Sequence, residues 1–332
     1  MPDVFLFADS GPDVGLGHLR RCLSLAEAFQ AEGARCKVYT PAADAIDMAQ
    51  AAGFETTKWD TDPMVQDGVF SVLDSYRIDI ATQSRLHRRA AYSVVIDDLA
   101  DRPLSADLIV NHNLFAADLA YHDVARDTEL LLGPRYALID PEFGTIGAQR
   151  SLEATGTPGI LVSFGGTDDG RYAEPVAHTL LDTFRDLVVH AVISPLRQPT
   201  RSIEELERLY PRRLFVHHGA DMTSLMKGCA MYIGGAGVSI LEAAAAHLAI
   251  VAIEMANNHR LNGQALRAIG VNCLRSPDVS ALLSAFIELQ TSGFPHVPAL
   301  DVIDGKGARR VARHILARER AAQHVTVDRI VR

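Results

Sequence analysis

The chain lacks a cysteine framework. Its four cysteines, Cys22, Cys36, Cys229 and Cys273, are far apart and make neither a Cys-x-x-Cys pair nor a disulfide set. They read as small buried apolar residues rather than metal ligands. A basic excess is lacking too: 32 Lys and Arg against 41 Asp and Glu leave a formal net charge of −9, which argues against a nucleic-acid partner. Nor is there a long unbroken apolar run. The most apolar stretch, Gly237 to Ala256, is interrupted by Glu242, His247 and Glu254 and does not read as a membrane span. The opening Met1-Pro2-Asp3 shows no basic region followed by an apolar stretch, so no secretory leader and a cytoplasmic location are expected.

What is present is a globular composition, 48% hydrophobic and 22% charged. At 332 residues the chain exceeds the usual size of one hydrophobic core, so two domains are expected. The first half alternates short apolar runs with helical patterns. Strands are expected at Val4 to Ala8, Lys37 to Thr40, Val69 to Leu73, Ser93 to Ile96 and Leu108 to Val110, which implies a parallel sheet with helices on both faces. The second half begins again with a strand at Ile160 to Phe164, and further strands are expected at Leu187 to Ile193, Leu214 to Val216, Met231 to Ile233 and Ala249 to Ile253. Between the halves, Gly147 to Pro158 is small and polar, as in a linker, and the boundary is placed at residues 150 and 151.

Parallel sheets bind ligands at the carboxyl ends of their strands, and those ends carry polar residues here: Asp9, Asp74-Ser75-Tyr76, Asp97-Asp98 and Asn111-His112-Asn113. The first strand runs into Asp9-Ser-Gly-Pro-Asp-Val-Gly-Leu-Gly-His18, and a helical pattern follows. Gly15 and Gly17 let a ligand approach the main chain, and the free N–H groups of the next helix suit a phosphate or a transition state. His18, on the first helical turn, is the side chain there that transfers protons near neutrality. The alternative is a capping or core histidine. Tyr76 could line a pocket or pack under its loop. Asp97 and Asp98 could orient His18, hold a sugar hydroxyl or cap the next helix.

Two more glycine turns follow. Gly165-Gly166-Thr167-Asp168-Asp169-Gly170 opens the second half, with a helix after it whose N-terminus could face a phosphate. Asp168 and Asp169 read as a helix cap before a metal site. Gly234-Gly-Ala-Gly-Val-Ser239 enters a helix, where Ser239 and Glu242 fit a capping box. Alternatively, Glu242 accepts two hydrogen bonds from a ribose.

In order and spacing these motifs resemble GT-B nucleotide-sugar enzymes, and within them the UDP-sugar hydrolases of the pseudaminic acid pathway. The residues that carry the resemblance are Gly15-x-Gly17-His18-x-x-Arg21, Asp74-Ser75-Tyr76, Asp97-Asp98, Asn111-x-Asn113, Gly133-x-x-Tyr-Ala-Leu138, Gly165-Gly166-Thr167-Asp168 and Asp304-Gly-Lys-Gly-Ala308. The match runs nearly to the end, to about Ala317.

The resemblance implies an α/β fold of GT-B type, two Rossmann-like doubly wound parallel-sheet domains facing across a cleft. Residues 1–150 would carry the catalytic histidine and sugar site, and residues 151–332 would bind UDP and end in a C-terminal helix. It further implies removal of UDP from UDP-2,4-diacetamido-2,4,6-trideoxy-β-L-altropyranose, and so a place upstream of flagellin glycosylation. His18 matches the family's general base and Tyr76 lines the same site. Gly17, Asp97, Asp98, Asn111, Asn113, Gly165, Gly166 and Thr167 fall at substrate-binding positions, and Ser239, Glu242 and Asn258 match positions that hold UDP. The family's late Asn-Gln reads Asn258-His259 here, a departure at position 259. No cofactor, no metal and no membrane partner are implied, and a monomer is expected.

UDP is a good leaving group, so its expulsion needs charge stabilisation more than an acid, and helix N-termini and loop amides can supply that. The paired carboxylates of ordinary glycosidases are not required. Direct attack by an activated water predicts inversion. Two other readings stand beside hydrolysis: a GT-B glycosyltransferase in which His18 deprotonates an acceptor, and a non-catalytic nucleotide-sugar sensor. The arginine-rich tail, with Arg309, Arg310, Arg313, Arg318 and Arg320, reads as a solvated helix face.

Overall fold

The structure, a computed structural model, describes residues 1–11, 14–59, 67–150, 159–166, 168–255 and 259–330. The apolar runs of the first half form a seven-stranded parallel sheet from β1 (Asp3–Ala8), β2 (Arg35–Thr40), β3 (Glu55–Lys58), β4 (Phe70–Asp74), β5 (Tyr92–Ile96), β6 (Leu108–Asn111) and β7 (Glu129–Leu132). Its order is β3-β2-β1-β4-β5-β6-β7. Helices α1 (Gly17–Ala31), α2 (Ala43–Ala51), α3 (Ile80–Arg89) and α4 (Tyr121–Val124) connect the strands. The order reverses between β1 and β4, where Val4 faces Phe70 and Ala8 faces Asp74. Such a reversal separates the two loops that follow its strands and makes room for a ligand.

The second sheet repeats the plan. It comprises β8 (Gly159–Ser163), β9 (Val189–Ile193), β10 (Leu214–His218), β11 (Cys229–Gly235), β12 (Ala249–Ile253) and β13 (Asn272–Leu274), in the order β10-β9-β8-β11-β12-β13. The reversal lies between β8 and β11. Its helices are α5 (Glu142–Arg150), α6 (Ala173–Thr183), α7 (Arg201–Leu209), α8 (Met222–Gly228), α9 (Val238–Ala245), α10 (His259–Ala268) and α11 (Val279–Thr291), and the terminal helix α12 (Gly307–Ile330) follows. Two parallel-sheet α/β domains are therefore present, as expected. Each has its own core. Phe5, Phe7, Trp59, Val95 and Ile109 lie in one; Ile160, Val162, Val189, Ile233 and Phe286 lie in the other. Central strands buried on both faces read as continuous apolar runs, which is why the sequence marks them.

The boundaries are less simple than one cut at residue 150. One compact unit comprises Met1–Ser10, His18–Ile139 and Lys306–Arg332; the other comprises Gly11–Gly17 and Asp140–Gly305. α5 draws the second unit back across the expected boundary, because Arg150 donates to the Cys229 carbonyl at 2.6 Å and a side chain at Gly147 would run into the Ala245 carbonyl. α12 belongs with the first unit instead of the second. Gly307 lies directly on the backbone of Ala137, and Arg309 and Arg313 each donate to Glu32 at 2.7 Å. The arginine face is thus partly ion-paired to its own unit. Residues 151–158 of the expected linker lie outside the described residues, while Gly147 to Arg150 are helical.

Candidate active site

The first sheet's reversal point gathers charge. β1 ends at Ala8, and the chain turns through Gly11 and Gly15, whose backbones exchange hydrogen bonds of 3.3 and 2.7 Å. Gly15 has φ +79°, a left-handed conformation that favours glycine. α1 then starts at Gly17, so His18 sits in its first turn, with Arg21 one turn further on the same face. β4, next to β1, delivers Asp74 at its carboxyl end. His18 Nδ1 lies 2.6 Å from Asp74 Oδ1, and both residues are buried.

Asp74 is shared. Arg21 Nε donates to its Oδ2 at 2.5 Å and the Arg21 terminal nitrogen to its Oδ1 at 2.6 Å. The other terminal nitrogen of Arg21 donates to both oxygens of Asp98 at 2.9 Å. This buried guanidinium therefore uses its fork on two carboxylates, a geometry suited to Arg and not Lys. Burial alone would raise the Asp74 pKa, but the Arg21 charge and the hydrogen bonds from Arg21 and His18 override it and hold the carboxyl below its ordinary range. Asp98 follows the same pattern: burial opposes ionisation, while Arg21 and the Tyr76 hydroxyl hold its carboxyl well below the ordinary range.

His18 Nδ1 also lies 3.1 Å from a terminal nitrogen of Arg21; in the tautomer that donates Nδ1–H to the ionised Asp74 carboxylate, Nε2 carries the lone pair. Among the described residues nothing hydrogen-bonds His18 Nε2. That tautomer is the one a general base requires. Tyr76 packs its ring edge-to-face on His18, with centroids 4.9 Å apart, and its hydroxyl donates to Asp98. Burial and the nearby Asp98 push the phenol pKa up, so Tyr76 stays protonated.

The remaining first-sheet candidates divide by role. Asn113 donates to Asp98 at 2.8 Å and joins the cluster. Asp97 instead holds its own turn: its carboxylate accepts from the amides of Leu99 and Ala100 at 3.1 and 2.7 Å and from Tyr121 at 2.9 Å. Asn111 donates to Tyr121 at 2.9 Å and accepts from Asn113. Both are fully buried supports. Asp74, not Asp97 or Asp98, orients His18. The sequence pattern displayed Asp74 and Arg21 without assigning them roles; the signals were the (i, i+3) spacing of His18 and Arg21 and the strand-end position of Asp74. His112 was likewise passed over. Its Nδ1 accepts from the Leu138 amide at 3.1 Å, and burial, aided by Arg21, lowers its pKa to about 4.

At the second sheet's reversal point, β8 leads into Gly165 and Gly166, and β11 ends at Gly234 and Gly235. A side chain at Gly234 would strike the Ser163 carbonyl and the Tyr232 ring. Glu242 is buried on α9, and Ser239 hydrogen-bonds the Tyr232 phenol, which also donates to the Ser163 carbonyl at 2.9 Å. The capping box does not form. α9 starts at Val238 with Gly237 as its N-cap, which leaves Ser239 inside the first turn. The amides before α6 are not left open for a phosphate either, since Asp168 accepts from Gly170 and Tyr172 at 3.0 and 3.2 Å. Burial pushes the Asp168 carboxyl pKa up despite these bonds. Thr167 and Asn258 lie outside the described residues.

No family model matches the chain. It is 24% identical over 282 residues, 83% of its length and 48% of the other's, to a Helicobacter pylori protein named pseudaminic acid cytidylyltransferase and UDP-2,4-diacetamido-2,4,6-trideoxy-β-L-altropyranose hydrolase. The chain spans about half the length of the curated relatives it matches. Among solved structures it is similar to Arabidopsis thaliana UGT89C1 complexed with UDP, with TM-score 0.63, 13% identity and coverage of 96% of this chain and 99% of that one. It is also similar to the UDP-GlcNAc 2-epimerase of Neisseria meningitidis bound to UDP-GlcNAc, with TM-score 0.62, 9% identity and coverage of 96% and 100%. These likenesses show a GT-B fold. No helix among the described residues is long and apolar enough to cross a membrane.

Proposed function

We propose that the chain is a UDP-sugar hydrolase that releases UDP from UDP-2,4-diacetamido-2,4,6-trideoxy-β-L-altropyranose, with His18 as general base. The observation that carries this reading is the buried Asp74–His18 pair, which leaves Nε2 as the proton acceptor. His18 takes a proton from water as the water oxygen bonds to the anomeric carbon. The bond from that carbon to the β-phosphate oxygen breaks, its electron pair leaves with UDP, and the sugar is released with inversion. The general base contributes roughly 10² to 10⁴ in rate.

Tyr76, Asp98 and Asn113 frame the sugar beside His18, and Asp97 and Asn111 support them from below. Gly17 opens the α1 N-terminus, whose amides can stabilise charge developing on the leaving group without a metal. Gly165, Gly166, Thr167, Ser239, Glu242 and Asn258 hold UDP, with Glu242 accepting from the ribose hydroxyls. The relationship to the Helicobacter pylori protein supports the substrate class.

Transfer to an acceptor hydroxyl is the second reading, favoured by the likeness to a glycosyltransferase from Rickettsia africae and to UGT89C1 complexed with UDP. UDP release without acceptor or added metal separates the two. Fast release by the wild type and a loss of more than about 10²-fold in His18→Ala are expected. Failure of the wild type to release UDP without an acceptor would overturn hydrolysis; equal rates in both proteins would remove His18 as the base.

A further inference from the structure

Outside the proposed active site, the second unit brings two histidines and a carboxylate together from separate segments. His247 ends the turn after α9, His296 lies in the segment after α11, and Asp301 follows the short turn Pro298–Leu300. The two imidazoles are parallel, with centroids 4.4 Å apart and planes 5° apart. Both Nε2 atoms approach one oxygen, Asp301 Oδ1, at 3.0 Å from His296 and 3.8 Å from His247. One donor atom from each residue fits within a span of 4.8 Å.

We propose that His247, His296 and Asp301 form a binding site for a divalent metal of the zinc class. Two imidazole nitrogens and one carboxylate oxygen match the ligand preference of zinc, cobalt and nickel rather than that of magnesium or calcium. Bonds of about 2.0 to 2.1 Å in a tetrahedral site place neighbouring ligands about 3.3 Å apart, a value bracketed by the two observed nitrogen-to-oxygen distances. To share one ion the two rings must rotate out of their stacked, parallel arrangement so that both nitrogen lone pairs meet at one point. All three side chains keep some exposure, with 23%, 35% and 55% of the surface open for His247, His296 and Asp301, so water can complete the coordination.

The position of His247 is held from several directions. Its φ of +54° is left-handed, a conformation in which His is more tolerated than most residues but which is still uncommon. The missing side chain at Gly147 leaves room for its ring: a Cβ there would lie 2.9 Å from the His247 Cδ2. The His296 ring stacks on it. A simple ion pair to Asp301 needs one imidazole; two rings converging on one oxygen make a ligand set. Bound metal would tie the end of α9 to the segment that precedes α12. It takes no part in the proposed hydrolysis.

The test uses the full chain, stripped by a chelator and titrated with zinc or cobalt alone. One equivalent should bind, giving cobalt absorption typical of a nitrogen and oxygen site. Affinity should fall by at least about tenfold in His296→Ala, in Asp301→Asn and in His247→Asn, the last of which retains tolerance of the left-handed backbone. Circular dichroism confirms that each variant is folded. No saturable binding by the wild type, or equal binding by a folded His247→Asn/His296→Ala variant, would overturn the proposal.

Discussion

The reversal points of the two sheets share a topology and differ in chemistry. At the first, His18 and Arg21 on α1, Asp74 at the end of β4 and Asp98 after β5 make a closed network in which both carboxylates are spoken for by one guanidinium. At the second, β8 and β11 end in paired glycines, with Glu242 the buried carboxylate on the following helix. One site fixes an imidazole through charge; the other keeps the main chain clear of side chains. The contrast teaches that parallel-sheet topology supplies a place, while residues at the strand ends decide whether it serves proton transfer or close binding.

The largest effect should come from breaking the charged end. Asp74→Asn removes the carboxylate that sets the His18 tautomer and leaves Arg21 partly unpaired. UDP release should fall by about 10²-fold or more, and urea denaturation should show a loss of about 3 kcal/mol. A fall in rate with no loss of stability would mean that the network positions His18 without holding the domain.

His112 sharpens the same side of the comparison. Its pKa falls from an ordinary value near 6.5 to about 4 in the folded chain, so between those values the unfolded chain binds more protons. Stability should therefore decline as pH falls from about 6.5 to about 4, by an amount on the order of 3 kcal/mol. His112→Asn, which can still accept from the Leu138 amide, should lose most of that slope in melting curves taken across the window. An unchanged slope would place the titration elsewhere.

At the glycine-lined end the expected signature is binding. Glu242→Gln keeps the shape and removes the charge, and should raise KM about tenfold with kcat nearly unchanged, the size expected for a hydrogen bond to a charged group. An equal fall in kcat would place Glu242 in the chemical step and erase the proposed division of labour. The smallest effect belongs to the exposed arginines of α12. Arg313→Ala should leave the denaturation midpoint unresolved from the wild type, because exposed pairs such as Arg313–Glu32 contribute little.

Much of this arrangement was legible in the chain itself. β1, β4, β5, β8 and β12 are apolar runs buried on both faces, and they lie where the hydrophobic pattern puts them. β3, β7 and β13 were missed for the complementary reason: Glu55 to Lys58 is a mostly exposed edge, Glu129 to Leu132 a short one, and Asn272 to Leu274 spans three residues. His18 was legible from its glycine turn. Its partner was not, because Asp74 lies 56 residues away and meets it only once β4 pairs with β1. The expected N-cap at Ser239 gave way to Gly237, since helix starts are set by backbone geometry that the capping pattern marks only to within a residue or two. The assignment of α12 to the first unit depends on long-range contacts between Arg309, Arg313 and Glu32, for which local sequence holds no signal.

The most direct test of His18-activated attack at carbon is hydrolysis of the altropyranose UDP-sugar in ¹⁸O-labelled water, followed at early times by NMR and mass spectrometry. Attack at the anomeric carbon predicts label in the sugar's anomeric hydroxyl, an initial product of inverted configuration, and unlabelled UDP. Label in the β-phosphate of UDP, or a first product of retained configuration, would contradict it.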